Sequence, residues 1–293
     1  MSNFHDLPDE LILKILSYSE VKELISCGQV SKRIRKISHD GTLWMTANLA
    51  KKIVKTELLE MILGKGCKVL ILSNSTILGS FSSNIKSQLR VLNLSHVSVY
   101  RTMFVENKYM NLTLAKVLEE LLFSCCSLQH LEMEGLCITP EMAISICKNA
   151  ETLQILNLNN SLIQDCYDAS NGSIQSIIRC CQQLKEIDLV YINAGEGRLS
   201  SDNLEFLAKN ISPNVEKLKL SNLNVKDTHA KILFNRCNRI KILASGAHRP
   251  PTQNPSTFRC LQCPFVTEDS IAMIGHHLHA HSSYPMQMEI KII

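Results

Sequence analysis

The chain has 293 residues, 45% hydrophobic and 20% charged, with a formal net charge of +4. A sizeable core can form, a collagenous or mostly disordered chain is excluded, and no apolar run approaches the ~18 residues of a membrane span. The mild positive charge is spread along the chain and gives little support to a nucleic-acid binder. The opening MSNFHDLPDE has no basic n-region and no apolar h-region, so no secretory signal is expected there. Twelve cysteines then read as reduced thiols or metal ligands, and the cytoplasm, the nucleus or both as the place of action.

Leu7-Pro8-Asp9-Glu10 predicts the start of a helix, with Pro near its first position and acids in the first turn, where the helix dipole favours them. Leu11, Ile12, Ile15 and Leu16 give that helix an apolar stripe wider than one core needs. A second short helix is predicted around Val21–Cys27. A third, Ser31–Ser38, carries Lys32, Arg33, Arg35 and Lys36, a run that reads first as a solvated helix face and second as an import signal or phosphate patch. The segment closes at Leu43-Trp44, the chain's only tryptophan. About 40 residues bury too little surface to stand alone, so the spare apolar face should meet a partner, the rest of the chain, or both.

Taken in order, Leu7, Pro8, Ile15, Leu16, Leu24, Val30, Ser31, Lys32, Arg33, Leu43 and Trp44 resemble the F-box. Ser19 and Ile34 stand where that family usually has Leu and often has Trp. The resemblance implies docking on the Skp-type adaptor of SCF cullin–RING ubiquitin ligases. It implies Leu7, Pro8, Leu11, Ile15, Leu16, Leu24, Val30 and Trp44 as the adaptor-binding residues.

From here an L-x-x-L-x-L pattern recurs. It starts in degraded form at Cys67, Leu70, Leu72 and repeats at Leu89, Leu92, Leu94; Leu128, Leu131, Met133; and Leu153, Leu156, Leu158. It continues at Leu184, Ile187, Leu189 and at Val215, Leu218, Leu220, and fades at Ile240, Leu243, Ser245. Successive first positions differ by 22, 39, 25, 31, 31 and 25 residues, so the 39 hides either an insertion or a lost repeat. Helices are predicted between strands at Pro140–Lys148 (with Thr139 as N-cap), Ser173–Cys181, Ser201–Asn210 and Lys226–Arg236. Such units cannot bury their apolar faces singly and must stack. Cys125, Cys181 and Cys237 each precede the first apolar strand position by three residues, which favours small buried hydrophobes over reactive or metal-binding thiols. The array resembles the leucine-rich repeats with a cysteine in the helix-to-strand turn, over roughly Leu63 to Ala244. F-box followed by leucine-rich repeats is similar to the S-phase kinase-associated F-box substrate receptors.

Alternation within each strand sends every second residue to the open side. Three rows result: His130, Ile155, Glu186, Lys217; then Asn93, Glu132, Asn157, Asp188, Lys219; then Ser95, Glu134, Asn159, Val190, Ser221. His130, Glu132, Glu134, Asn157, Glu186, Asp188, Lys217 and Lys219 are the candidate substrate-binding residues. The competing reading of the same rows is cross-strand pairing, Glu186 with Lys217 and Asp188 with Lys219. Val99–Leu112, with Tyr100, Met103, Phe104, Tyr109 and Met110, reads as an aromatic-rich loop and a second candidate surface.

After Ala244 comes a linker, 245–257, rich in Pro, Ser and Thr. Cys260, Cys263, His276 and His281 then follow the spacing C-x2-C-x12-H-x4-H, which fits a tetrahedral zinc site, with His277 a rival ligand and His279 a further one. Residues 258–283 resemble the Cys–Cys–His–His zinc finger, and 284–293 form a tail. Residues 246–293 hold three basic and three acidic side chains, too few cations to neutralise phosphates, so nucleic acid is disfavoured as a partner.

The expected fold class is therefore α/β. Residues 1–50 form a three-helix F-box, 51–244 a curved leucine-rich-repeat solenoid with parallel strands concave and helices convex, followed by a small zinc-finger-like module. No H-E-x-x-H, G-x-S-x-G or phosphate-binding Gly-rich motif occurs. The expected function is non-catalytic: a substrate-recognition subunit that docks on the adaptor and holds a protein substrate on its repeats, away from any membrane. The alternatives are a zinc-finger and repeat scaffold, or a nucleic-acid-linked regulator, without ligase role.

Overall fold

The computed structural model describes residues 7–81, 87–99, 107–164, 172–194, 197–198, 201–220, 225–240, 242–244, 256–260, 266–267 and 288–292. The chain divides into two compact units, Met1–Leu136 with Ile144–Leu153, and Cys137–Ala143 with Gln154–Ile293.

The first unit opens with three short helices, α1 (Asp9–Leu16), α2 (Val21–Cys27) and α3 (Lys32–Ser38), then a 3-10 turn at Gly41–Trp44. Each start has a local cause. Pro8 precedes α1 as its cap residue, one position earlier than the sequence suggests. Glu20 and Glu23 bracket the start of α2, the Glu20 N–H donating to Glu23 Oε2 at 2.8 Å. Ser31 Oγ accepts the Ile34 N–H at 3.2 Å and caps α3. Ile12, Leu16, Val21, Leu24, Ile34, Ile37 and Trp44 are buried. The Trp44 indole N–H donates to the Ser38 carbonyl at 2.8 Å, so the buried ring carries no orphan donor.

Repeating units follow. Strands β1 (Thr46–Asn48), β2 (Ile53–Lys55), β3 (Val69–Ile71), β4 (Thr76–Leu78), β5 (Val91–Asn93), β6 (Ser98–Val99) and β7 (His130–Glu132) alternate between two parallel sheets, with helix α4 (Thr56–Gly64) after β2 and α5 (Asn107–Phe123) after β6. β1, β3, β5 and β7 pair in parallel, placing Ala47, Leu70, Leu92 and Leu131 side by side, all at 0% exposure. β2, β4 and β6 pair likewise. Because β5 pairs directly with β7, the 39-residue spacing is an insertion and no repeat is missing. Part of that insertion is the 17-residue α5, so from Asn107 onward the expected aromatic loop is helix. Val117, Leu118, Leu121 and Leu122, spaced for one helix face, are its buried side.

Between paired strands the backbone turns through the left-handed region three residues past each first strand. Lys51, Asn74 and His96 have φ of 58°, 56° and 56°, and Gly135 has φ 72°. A Cβ on Gly135 would run into the His96 imidazole, and that crowding, more than a dihedral that Lys51, Asn74 and His96 also adopt, favours glycine there. The turn is prepared in part by side chains: Asn48 Oδ1 accepts the Ala50 N–H at 3.1 Å and Asn93 Oδ1 the Ser95 N–H at 2.9 Å.

The second unit repeats this plan. It holds β8 (Cys137–Ile138), the first turn of α6 (Pro140–Cys147, whose residues from Ile144 onward belong to the first unit), β9 (Ile155–Asn157), β10 (Leu162–Ile163), α7 (Ser173–Cys180), β11 (Glu186–Asp188), β12 (Asn193–Ala194), β13 (Gly197–Arg198), α8 (Ser201–Asn210), β14 (Lys217–Lys219), α9 (Asp227–Arg236) and β15 (Ile242–Ala244). β9, β11, β14 and β15 are parallel neighbours in that order. β8, β10 and β12 form a second parallel row, closed by an antiparallel β13. Thr139 Oγ1 accepts the Met142 N–H at 3.2 Å, the cap the sequence announces. Asn160 and Tyr191 take the left-handed turn position with φ 53° and 54°. Three further strands, β16 (Ser256–Cys260), β17 (Val266–Thr267) and β18 (Met288–Ile292), form an antiparallel sheet in the order β17-β16-β18. The last strand lies where the sequence reading has only a tail.

Cys67, Cys125, Cys181 and Cys237 are buried. Burial pushes the thiols of Cys67, Cys125 and Cys237 up to about 11, so they remain protonated and inert near neutrality. Ser212 takes the corresponding place before Val215, and its hydroxyl donates to the Gln182 carbonyl at 2.8 Å. Asn149, also buried, brackets the preceding unit: its amide donates to the Cys125 carbonyl at 3.1 Å while its Oδ1 accepts the Leu128 N–H at 2.8 Å. The corner is thus a place for small polar or sulfur side chains that satisfy stacked backbone, as the recurrent spacing indicates.

Candidate functional site

The N-terminal helices sort their apolar residues into two sets. Ile12 and Leu16 point into the module, whereas Leu11 and Ile15, on the same helix, are 50% and 46% exposed. Tyr18 at 79% continues that stripe at the spacing i, i+4, i+7. Val30 (69%) and Ile25 are further exposed apolar side chains of the module, Pro8 is exposed and Leu7 is half-buried. Of the eight residues implied as adaptor contacts, Leu16, Leu24 and Trp44 are therefore interior and hold the helices together. Tyr18 and Ile25 belong to the exposed set and were not singled out from sequence; the i, i+4, i+7 spacing was the signal for Tyr18.

The basic run on α3 divides in the same way. Arg33 bonds to Asp9 (Nε to Oδ1, 2.8 Å) and donates from Nη2 to the Leu7 carbonyl at 2.6 Å, which fixes the start of α1. Arg35 Nε donates to the Gly28 carbonyl at 2.8 Å. These arginines brace the helix bundle; Lys32 and Lys36 are solvated. Lys52 pairs with Glu20 at 2.7 Å, and that bond holds the Glu20 carboxyl below its usual range.

Residues 4–50 match the family model of the F-box-like domain. The chain therefore carries an F-box-like domain, in agreement with the ordered string of residues read from the sequence. The helices α1–α3, the buried Trp44 and the exposed stripe all fall within the matched segment. F-box domains bind Skp-type adaptors in SCF complexes, and are typically non-catalytic components.

Outside the F-box-like domain, the sequence candidates lie on the strands. In the second unit Lys217 Nζ lies 2.7 Å from Glu186 Oε1, and Lys219 Nζ 2.7 Å from Asp188 Oδ2. The cross-strand pairs weighed against a binding role for these four residues are thus formed. Asn157 and Asp188 also spend an oxygen on local turns, accepting the N–H of Asn159 at 2.9 Å and of Val190 at 3.1 Å. In the first unit His130 Nε2 lies 2.8 Å from Glu132 Oε1, and His96 Nε2 lies 3.6 Å from Glu134 Oε1. Asn93 Nδ2 donates to the other oxygen of Glu132, a contact that sequence spacing could suggest only through the strand register.

Cys263, His276 and His281 lie outside the described residues, as do the rivals His277 and His279. Cys260 ends β16, and β16 and β17 pair antiparallel on either side of residues 261–265. Among the described residues no group of three His, Cys, Asp or Glu side chains is placed to hold a metal ion. Among them, too, no helix is long and apolar enough to cross a membrane.

Proposed function

We propose that this protein is the non-catalytic substrate-recognition subunit of an SCF-type cullin–RING ubiquitin ligase. The observation that carries this reading is an F-box-like domain whose first helix leaves Leu11 and Ile15 exposed, with Tyr18 exposed in the turn just beyond it. Solvent-facing apolar residues at helical spacing suit a groove on another protein. Pro8, Val30 and Ile25 extend the proposed adaptor surface; Leu16, Leu24 and Trp44 support it from inside.

The stacked strands are, on this reading, a leucine-rich-repeat solenoid whose open strand side receives a protein substrate. The contribution to catalysis is proximity: a substrate lysine is kept near the ubiquitin thioester carried by the conjugating enzyme. In the tail, Cys260, Cys263, His276 and His281 would hold Zn2+ as a structural ion, with the β16–β17 pairing supporting a hairpin for the two thiolates. Action in the cytoplasm or nucleus, and a protein rather than a nucleic acid or membrane as cargo, complete the proposal.

Capture of bound proteins from cells, with and without proteasome inhibition, tests the receptor role. A partner that is retained by the full chain and whose level rises on inhibition is the expected result. A stably bound partner whose level does not respond would favour a scaffold and contradict the ligase role.

A further inference from the structure

The 3-10 turn after α3 and the end of α4 meet around an open hollow of about 470 Å³, within the first compact unit. Its lining includes Asp40, Met45, Lys65, Gly66, Lys68 and Gln88. Ligand pockets commonly hold roughly 300–1,000 Å³, so the hollow is larger than a lone inorganic anion fills.

Its lysines are placed by the backbone and by Trp44, not by acids. Gly66, at φ 83°, turns the chain after α4, and the Lys68 N–H then donates to the Met45 carbonyl at 2.9 Å. Lys65 Nζ lies 5.0 Å from the centre of the Trp44 ring and 3.5 Å from the His39 carbonyl oxygen. A ring face and a carbonyl orient an ammonium without cancelling its charge. Among the described residues no carboxylate pairs with Lys65 or with Lys68. Partial burial disfavours the charged form of Lys65, a penalty that a bound anion would offset.

Asp40 is the one acid among the described lining residues, and it is turned to its own chain. Its Oδ1 accepts both the Thr42 hydroxyl at 2.5 Å and the Thr42 N–H at 2.9 Å, which leaves Oδ2 outside both bonds. The hydroxyl first, then the N–H, hold the carboxyl below its usual range, so Asp40 is an ionised acceptor. Cations therefore outnumber the anion in the hollow.

We propose that this hollow binds an acidic peptide segment of a protein partner, whose carboxylate or phosphoryl group meets Lys65 and Lys68 while a backbone N–H donates to Asp40 Oδ2. A peptide fits because the hollow offers both kinds of group: ammonium donors for the acid, and a carboxylate acceptor for an N–H. The exposed Gln88 amide can donate to and accept from a peptide unit at once. A nucleic-acid backbone fits less well, since Asp40 would face its phosphates. This site is distinct from the α1 stripe and takes its peptide whether or not the chain serves a ligase.

The test uses the purified full chain without adaptor and a short fluorescein-labelled peptide carrying two glutamates, read by anisotropy at physiological salt. A phosphoserine version and a glutamine version are compared with it. The acidic versions are expected to bind, and the tighter of the two identifies the source of the anionic group. The glutamine version should not bind measurably, and added salt should weaken the acidic ones. Lys68→Gln should leave thermal unfolding unchanged and weaken acidic-peptide binding about tenfold or more. Lys55→Gln, at an exposed lysine of the same unit, removes the same charge and should leave binding as it is. No binding of either acidic version, equal binding of the glutamine version, or equal effects of the two lysine variants would overturn the inference. So would equal displacement of the label by an unlabelled single-stranded oligonucleotide and by unlabelled peptide, which would make nucleic acid the ligand.

Discussion

At the scale of single residues, the repeat positions specify chemistry more sharply than composition does. The corner cysteines illustrate this. Cys67, Cys125 and Cys237 are desolvated, and their thiols, pushed to about 11, are protonated at pH 8, whereas Cys126 and Cys180 are exposed. Alkylation followed by mass spectrometry at pH 8 should therefore label Cys126 and Cys180 well before the corner thiols. Simultaneous labelling of all five in the native protein would contradict the packing described.

His229 gives a second residue-scale outcome. It is 3% exposed, and burial, followed by the nearby Lys226 charge, holds its imidazole below the usual histidine value; its Nδ1 accepts the Lys226 N–H at 3.2 Å. The unfolded chain thus takes up a proton more readily than the folded one. The stability tied to neutral His229 is present above about pH 6.5 and is lost as the pH falls below it, toward the depressed folded value. Urea midpoints compared at pH 7.5 and 5.5 should fall in wild type and fall less in His229→Gln. Identical falls would remove His229 from the pH response. The role of the corner cysteines was legible because their spacing tracks the repeat. The left-handed turns at His96 and Tyr191 were not, since residues other than glycine seldom announce a positive φ.

At the scale of elements, α1 performs two tasks with adjacent residues. Its inner pair, Ile12 and Leu16, is core, and truncation there leaves a cavity: Leu16→Ala should cost about 2–5 kcal/mol. Its outer pair is solvent-exposed, so Leu11→Asp and Ile15→Asp should leave thermal unfolding nearly unchanged. Chemical denaturation of the three variants checks this. Equal destabilisation by all of them would mean that the outer stripe is packed within the chain. Sequence showed that the stripe was too wide for one core but not which half faced inward, because all four residues are aliphatic and adjacent around the helix. Strands carrying the L-x-x-L-x-L signal were legible because alternation places a leucine at each buried centre. The second rows, β2, β4 and β6 in the first unit and β8, β10 and β12 in the second, were not. Runs of two or three residues carry no usable period, and they form because the preceding left-handed turn delivers the backbone to a neighbour already paired. The start of α5 was hidden for a related reason: its first turns mix aromatic and polar residues, and the apolar stripe appears only from Val117.

At the scale of the whole molecule, an F-box-like domain is followed by strand-and-helix units that repeat one plan in both compact units. This division of labour suits a receptor: a small module with an exposed apolar helix to meet an adaptor, and a strand array with many independently variable side chains to meet cargo. The zinc ligands proposed in the tail rest on spacing alone, and the sheet formed by β16, β17 and β18 could not be read from sequence, since β18 pairs across a long stretch of it.

Co-expression of the full chain with a Skp-type adaptor, followed by size-exclusion chromatography, tests the central claim most directly. The account predicts a one-to-one complex that Leu11→Asp with Ile15→Asp abolishes while the variant chain stays folded and soluble. A wild-type chain that elutes apart from the adaptor, or a double variant that still co-elutes with it, would contradict the docking role given to α1.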